Sequence, residues 1–287
     1  MTIPGLPNAN GDASELISNV SDTARWIAAY RADESARGDA LFHDPLADRL
    51  AGERGRAIAA AAPPVSWALV TRIKLIDDMV LAAISEGADR VLNLAAGLDT
   101  RPYRLDLPQD LRWIEADLPA LIAEKEHLLA DQTPRCQLTR TAVDLAATAS
   151  RDAFLTEALA GATTALVLTE GLLMYLTEND VAALSQSLAR PEIAWWVFDL
   201  WGPGLKKWMT KKAGALVRNA PFTFAPDSGI AYFENRGWRT VHMESVLPAA
   251  NRFRRLPLWL RLPARLPQPD PRNPGNKRWN VVTRLTR

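Results

Sequence analysis

The chain has 287 residues, 48% of them hydrophobic, and 34 Lys and Arg against 33 Asp and Glu, for a net charge of +1. This is a globular composition rather than a disordered one, and the near-neutral charge leaves no electrostatic case for nucleic acid as a partner. The single Cys136 excludes an internal disulfide and a cysteine-based zinc cluster, and no apolar run is long enough to span a bilayer.

A reducing cytoplasm is therefore the expected location, with no metal site and no stable membrane insertion. Residues 1–20 contain Gly5, Pro7, Asn8, Asn10 and Gly11. They predict a mobile arm and lack the basic and apolar regions of a signal peptide. Residues 21–287 are expected to form one domain, with a helical cap over 21–65. Ser21 or Asp22 caps a first helix to Ala36, with Trp26, Ile27 and Tyr30 at helical spacing. The Phe42-to-Pro45 break leads to a short helix over Leu46 to Leu50, and an Ala-rich segment from Ile58 to Ala62 ends at Pro63 and Pro64. Ser66 to Glu86 reads as a long helix with an apolar face of Leu69, Ile73, Ile76, Val80, Leu81 and Ile84, stopped by Gly87.

Val91, Leu92 and Leu94 then suit a buried parallel strand that ends in the small-residue turn Ala95-Ala96-Gly97. Pro102 fits the first turn of a following helix. Further strands are expected over Leu111 to Asp117, Cys136 to Val143, Ala165 to Glu170 and Ile193 to Leu200. Helices are expected over Pro119 to Asp131, Arg151 to Ala160 and from the Thr177 cap to Ala189. Strand–helix alternation implies a doubly wound α/β sheet, mostly parallel. Residues 201–230 read as an irregular insert over the site, with Lys206, Lys207, Lys211 and Lys212 on a solvated face. Its aromatics Trp201, Trp208, Phe222 and Phe224 form either a lid or packing, and packing is the more ordinary use. Gly237 to Glu244 and Trp279 to Leu285 supply two closing strands, seven in all. The Arg- and Pro-rich run from Arg252 to Pro274 reads as an extended surface connection rather than a basic rim touching substrate or membrane. The reason is that so Pro-rich a run cannot present a regular amphipathic helix.

Acids recur at the ends of consecutive strands: Asp99, Asp117, Asp144, Glu170 and Asp199. In a parallel sheet these ends share one edge, where ligands bind. A carboxylate after the second strand can accept hydrogen bonds from ribose hydroxyls. An Asp after the third can accept from an adenine amino group, beside the Leu145 N–H. Such acceptors suit an adenosine without phosphate, since phosphate calls for Lys, Arg or a glycine-rich helix start. That points to S-adenosylmethionine rather than a nicotinamide cofactor, and the turn at Leu94 to Gly97 lacks the G-x-G-x-x-G spacing. For Asp199 a cap or solvated loop is the simpler expectation. Arg72, on the long helix, either meets a cofactor carboxylate or makes a surface salt bridge with Asp78 or Glu86.

The order of several short motifs resembles the leucine carboxyl methyltransferase superfamily, and within it the bacterial S-adenosylmethionine-dependent O-methyltransferases that include polyketide-tailoring carboxyl methyltransferases. The motifs are Ser21 to Ala24, Phe42 to Ala47, Thr71 to Asp77, Asn93 to Arg104, Glu115 to Pro119, Asp144-Leu145 and Thr169 to Leu176. The resemblance implies a class I, Rossmann-like methyltransferase fold with an N-terminal helical cap. It implies that Arg72 holds the cofactor carboxylate and that Gly97 lets the cofactor lie against the turn. Asp117 would bind ribose, Asp144 and Leu145 adenine, and Glu170 the methionine amino group or the pocket floor. A basic residue from the N-terminal segment, Arg31 or Arg37, is also implied at the cofactor. Such proteins usually carry Gly where this chain has Ala95; the added methyl narrows the turn, although Ala adopts the backbone of most turns.

The implied partner is a small-molecule methyl acceptor. A carboxylate acceptor is ionised near pH 7 and needs no base, whereas a phenol benefits from one. His43 reads as part of a structural turn, His127 as a surface residue and His242 as a late-strand residue; Tyr175 is a candidate acceptor-orienting group. Tyr175 and His242 are the catalytic candidates. Two other readings stand beside methyl transfer: a catalytically silent S-adenosylmethionine-binding protein, and a nicotinamide-dependent oxidoreductase. Oligomeric state is not legible.

Overall fold

The computed structural model describes residues 20–213 and 221–287. The arm expected over residues 1–20 lies outside the described residues except for Val20, and so do residues 214–220 of the expected insert. The chain opens with α1 (Val20–Ser35), α2 (Ala47–Ala61) and α3 (Ser66–Ser85). It then alternates through β1 (Arg90–Leu94), α4 (Arg101–Arg104), β2 (Arg112–Asp117), α5 (Pro119–Leu128), β3 (Gln137–Ala142), α6 (Thr148–Ala158) and β4 (Ala165–Thr169). A 3-10 turn at Leu173–Tyr175 precedes α7 (Glu178–Ser187), β5 (Ile193–Trp201) and α8 (Pro203–Ala213). The chain closes with α9 (Ala231–Glu234), β6 (Arg239–Ser245), α10 (Val246–Arg252), α11 (Leu258–Arg261), a 3-10 turn at Pro263–Arg265 and β7 (Asn280–Thr286).

The seven strands among the described residues form one sheet in the order β3-β2-β1-β4-β5-β7-β6. The first five are parallel, and β7 runs antiparallel to both β5 and β6. β1 and β4 are buried at every position, as strands covered on both faces must be. Alternate residues feed two cores. Leu92, Leu94, Val167, Trp196 and Phe198 pack with α6, α7 and α9, while Val91, Trp113, Leu166 and Val197 pack with α3 and α10. The chain runs outward from β1 to β3 and returns through β4 on the other side of β1. The strand order reverses there, which opens a crevice beyond the carboxyl ends of β1 and β4.

Three local expectations are corrected. The two pieces expected at Leu46 to Leu50 and Ile58 to Ala62 are one helix, α2, bent at Gly52 with φ of 57°. Its Gly55 lets it press on α1, since a Cβ there would sit 2.5 Å from the Arg25 carbonyl oxygen. The irregular reading of residues 201–213 fails because β5 continues to Trp201 and α8 follows at once. The Pro-rich connection is partly helical, because Pro257 is the cap residue of α11 and Pro263 begins the 3-10 turn, positions that need no N–H donor.

The turn after β1 departs from expectation in its backbone. Ala95 has φ of 55° and Gly97 φ of 51°. The left-handed region is ordinary for Gly but costs an L-residue roughly 1–2 kcal/mol. Ala95 therefore carries strain at the mouth of the crevice. Replacing it with Gly removes the Cβ conflict but adds unfolded-state entropy, so Ala95→Gly should raise stability by about 1 kcal/mol in urea unfolding. Unchanged or lowered stability would contradict a strained Ala95.

Candidate active site

A cavity of about 510 Å³ occupies the crevice, within the size range of small-ligand sites. Its walls come from the turn after β1, the ends of β2 and β4, and the inner sides of α1 and α3. Residues Trp201, Met209, Pro221 and Phe222 close another side. One part is polar, with Arg31, Arg72, Asp99, Arg101, Asp117, Asp144 and Glu170. The rest is apolar and aromatic, including Trp26, Ile27, Leu69, Met174, Trp201 and Phe222.

A buried charge network holds the polar part. Arg101 Nε donates to Asp77 Oδ1 at 2.7 Å, and its Nη1 donates to Asp99 Oδ2 at 2.8 Å. Its Nη2 lies 2.8 Å from Glu170 Oε2. Arg104 grips both oxygens of Asp77. On the far side of Glu170, Arg72 Nε donates to Glu170 Oε1 at 3.1 Å and its Nη1 donates to Asp199 Oδ2 at 3.3 Å. Asp199 Oδ1 accepts from the Gly171 N–H at 2.6 Å. Burial alone would raise the carboxyl of Asp99, but Arg101, Lys125 and Arg104 hold it well below the ordinary range. Burial dominates at Asp199 and pushes its carboxyl upward despite Arg72.

Asp117 ends β2. Its Oδ2 accepts from the Gly97 N–H and its Oδ1 from the Leu118 N–H, both at 2.7 Å. Burial raises its carboxyl, and these two bonds oppose that shift. Each carboxylate oxygen keeps a further acceptor site. Asp144 is exposed and its Oδ1 accepts from the Ala146 N–H at 2.9 Å, while the Leu145 N–H donates to no acceptor among the described residues. The Thr23 hydroxyl in the cavity wall is buried without a hydrogen-bond partner among the described residues.

The six expected cofactor residues, Arg72, Gly97, Asp117, Asp144, Leu145 and Glu170, all line this one cavity. Of the two N-terminal candidates, Arg31 lines it, held by Asp44 and the Leu98 carbonyl at 2.7 Å each. Arg37 is not among the lining residues and lies exposed, with its Nε 2.9 Å from Asp39. Arg72 makes neither of the expected surface bridges, because Asp78 pairs with Lys74 and Glu86 with Arg284. Asp199 is neither a cap nor solvated; it lies within β5, which runs two residues past it.

His242, expected as a catalytic candidate, lies away from this cavity. It stands on the edge strand β6, half exposed and facing Glu244 at 3.4 Å, and it does not line the cavity. His43 and His127 are exposed and also outside it. Tyr175 does line the cavity, and burial pushes its phenol up to about 12 against the pull of Arg72. It is thus a hydrogen-bond donor rather than a base at neutral pH. The expected aromatic group divides. Trp201 and Phe222 meet in the cavity wall with ring centroids 4.8 Å apart and planes tilted by 49°; Trp208 belongs to the same apolar cluster without lining the cavity, and Phe224 packs in the core beside Tyr232 and Phe233. Sequence reasoning missed Arg101 as the hub, since Asp99-Thr-Arg reads as an ordinary polar turn.

The leucine carboxyl methyltransferase family model matches residues 24–189, which contain all six cofactor candidates. The chain belongs to this family. A Parafrankia protein named "Putative S-adenosyl-L-methionine-dependent methyltransferase" is 30% identical over 84% of this chain and 83% of its own. A Streptomyces coelicolor protein of the same description is 34% identical, over 58% of this chain and 63% of its own. The chain thus spans less than two thirds of that relative, and the match to a similarly named Mycobacteroides abscessus protein covers half of it. The fold matches a crystal structure titled a putative methyltransferase from Thermobifida fusca, with a TM-score of 0.61 and 16% identity over 98% of this chain and 99% of the other. A duf574 family protein from Streptomyces avermitilis gives 0.59 at 13% identity over 92% and 97%. These likenesses establish the class I methyltransferase fold.

Removing Arg101 would leave Asp77, Asp99 and Glu170 buried with less compensation. Arg101→Met should therefore cost about 3–5 kcal/mol of stability in urea unfolding. A loss below about 1 kcal/mol would show that Arg101 is not the hub.

Proposed function

We propose that the chain is an S-adenosylmethionine-dependent O-methyltransferase that acts on a small, largely apolar molecule through a carboxylate, a chemistry suited to tailoring polyketide-like metabolites. The observation that carries the cofactor assignment is Asp117, fixed by two backbone N–H groups at the end of β2 and lining the cavity. Its remaining acceptor sites can take both hydroxyls of a ribose.

The residues present fit the cofactor. Asp144 Oδ2 and the Leu145 N–H form an acceptor and donor pair suited to adenine, with the Leu145 side chain beside it. The guanidinium of Arg72 has five N–H donors, and its contacts with Glu170 and Asp199 leave some for a carboxylate. Glu170, paired with Arg72 and Arg101, suits an ammonium group. Bound S-adenosylmethionine supplies a methyl group on a sulfonium, activated for in-line displacement.

The chain's own part is positioning and exclusion of water. The apolar wall of Trp26, Leu69, Met174, Trp201 and Phe222 would hold the acceptor's body. Tyr175, protonated up to about pH 12, would donate to one acceptor oxygen. No histidine among the described residues lines the cavity, and each lining carboxylate already accepts from at least one N–H or guanidinium partner. An acceptor that is already ionised needs no base, so a carboxylate is favoured over a phenol with a pKa of about 10. The same features favour methyl transfer over the nicotinamide reading.

Assays with radiolabelled S-adenosylmethionine against matched panels of apolar carboxylic acids and phenols should yield methyl esters from the acids. Transfer only to phenols, or to none of either panel, would overturn this function. Asp117→Ala should weaken S-adenosylhomocysteine binding by about 1–3 kcal/mol in calorimetry; wild-type affinity would contradict the ribose assignment. Tyr175→Phe should lower kcat/KM without removing any limb of the pH profile below pH about 10. A lost limb would make Tyr175 a proton acceptor instead.

A further inference from the structure

The most exposed large hydrophobic side chains among the described residues gather in one short segment. Leu258, Trp259, Leu262 and Leu266 are 61–76% exposed, and the next most exposed, Leu118 and Val241, reach only 42%. Leu258 and Trp259 lie on α11, Leu262 joins it to the 3-10 turn with a helical backbone, and Leu266 caps that turn in an extended conformation. Their placement follows a four-residue period. Leu256, Leu260 and Ala264 face inward onto Ala250, Leu247 and Trp67. Leu258, Leu262 and Leu266 lie half a turn away and face solvent. Arg261 and Arg265 form a row on one flank and Trp259 lies on the other.

The segment carries its own charge. From Arg252 to Pro269 there are five Arg and no acid. Arg252 pairs with Glu244, and Arg255 with Glu34 and Asp39, which ties the base of the segment to α1. Arg254, Arg261 and Arg265 are exposed and form no ion pair among the described residues. An exposed cluster of three Leu and a Trp, rimmed by three uncompensated guanidinium groups, is stable in water only at a cost. Its chemistry matches the interface of an anionic bilayer, where Trp and Leu enter the headgroup boundary and Arg meets phosphate.

We propose that this segment is a peripheral docking surface for anionic membranes. Insertion is shallow, because α11 is a single turn and no helix among the described residues is long and apolar enough to cross a bilayer. The platform beneath is rigid: Leu256, Ala264 and Ala250 are buried, and Trp67 of α3 packs against them. Two residues further along α3, Leu69 lines the cavity. One helix therefore supports both surfaces.

Flotation of the full chain with phosphatidylcholine vesicles, with and without phosphatidylglycerol, tests the proposal. Binding is expected only with phosphatidylglycerol, weakened by added salt, with a blue shift of tryptophan emission that Trp259→Phe largely removes. Arg261→Ala and Arg265→Ala should each weaken partitioning about fivefold. Leu262→Ser with Trp259→Ser should abolish it while leaving circular dichroism unchanged. Absence of vesicle binding, or equal binding to both vesicle types, would overturn the proposal. So would a dimer in sedimentation equilibrium that Trp259→Ser dissociates, since a second copy would then cover the patch. Protection of Trp259 from acrylamide in a monomer would overturn it too, by showing that the chain covers the patch itself.

Discussion

Arg101 joins carboxylates from three separate parts of the chain: Asp77 on α3, Asp99 in the turn after β1 and Glu170 after β4. Three carboxylates at one buried sheet edge would repel one another and carry a heavy desolvation cost. The planar guanidinium donates hydrogen bonds to Asp77 and Asp99 and neutralises Glu170 as an ion partner at 2.8 Å. Arg72 repeats the arrangement on the other side of Glu170, with Asp199 as its second partner. Together the two arginines lock α3, β1, β4 and β5 around the crevice. The left-handed Ala95 and Gly97 sit in the middle of that frame and aim the Gly97 N–H at Asp117.

This network gives the site two functions in one set of side chains. The carboxylates and guanidiniums hold the sheet edge together, and their unused donors and acceptors line a cavity. A site built in this way is preorganised before any ligand arrives. Its polar half is rigid and charged, and its other half is apolar and aromatic. That division suits a charged, adenosine-bearing cofactor beside an apolar molecule.

The sheet and the acidic residues at the strand ends that line the cavity were legible in the sequence because both obey local rules. Apolar runs such as Leu166 to Leu168 mark buried strands, and polar residues at strand ends fall on one edge. What was not legible depends on partners distant in the chain. Arg72 meets Glu170 98 residues away and Asp199 127 residues away, so neither pairing leaves a periodic trace. Asp199 looked like a loop residue because β5 seemed to end beside it. Composition also misled at the Pro-rich run, where Pro257 and Pro263 stand at helix starts rather than inside helices. His242 drew notice for its residue type alone, and type says nothing about which edge of the sheet a strand occupies.

The central claim is that the crevice beyond β1, β2 and β4 is an adenosyl site framed by the two arginines. A crystal structure of the protein with S-adenosylhomocysteine tests it most directly. The account predicts ribose hydroxyls within hydrogen-bond distance of Asp117, adenine at Asp144 and Leu145, and the ligand carboxylate at Arg72. A ligand bound elsewhere, or bound in the crevice with Asp117 and Arg72 untouched, would contradict it.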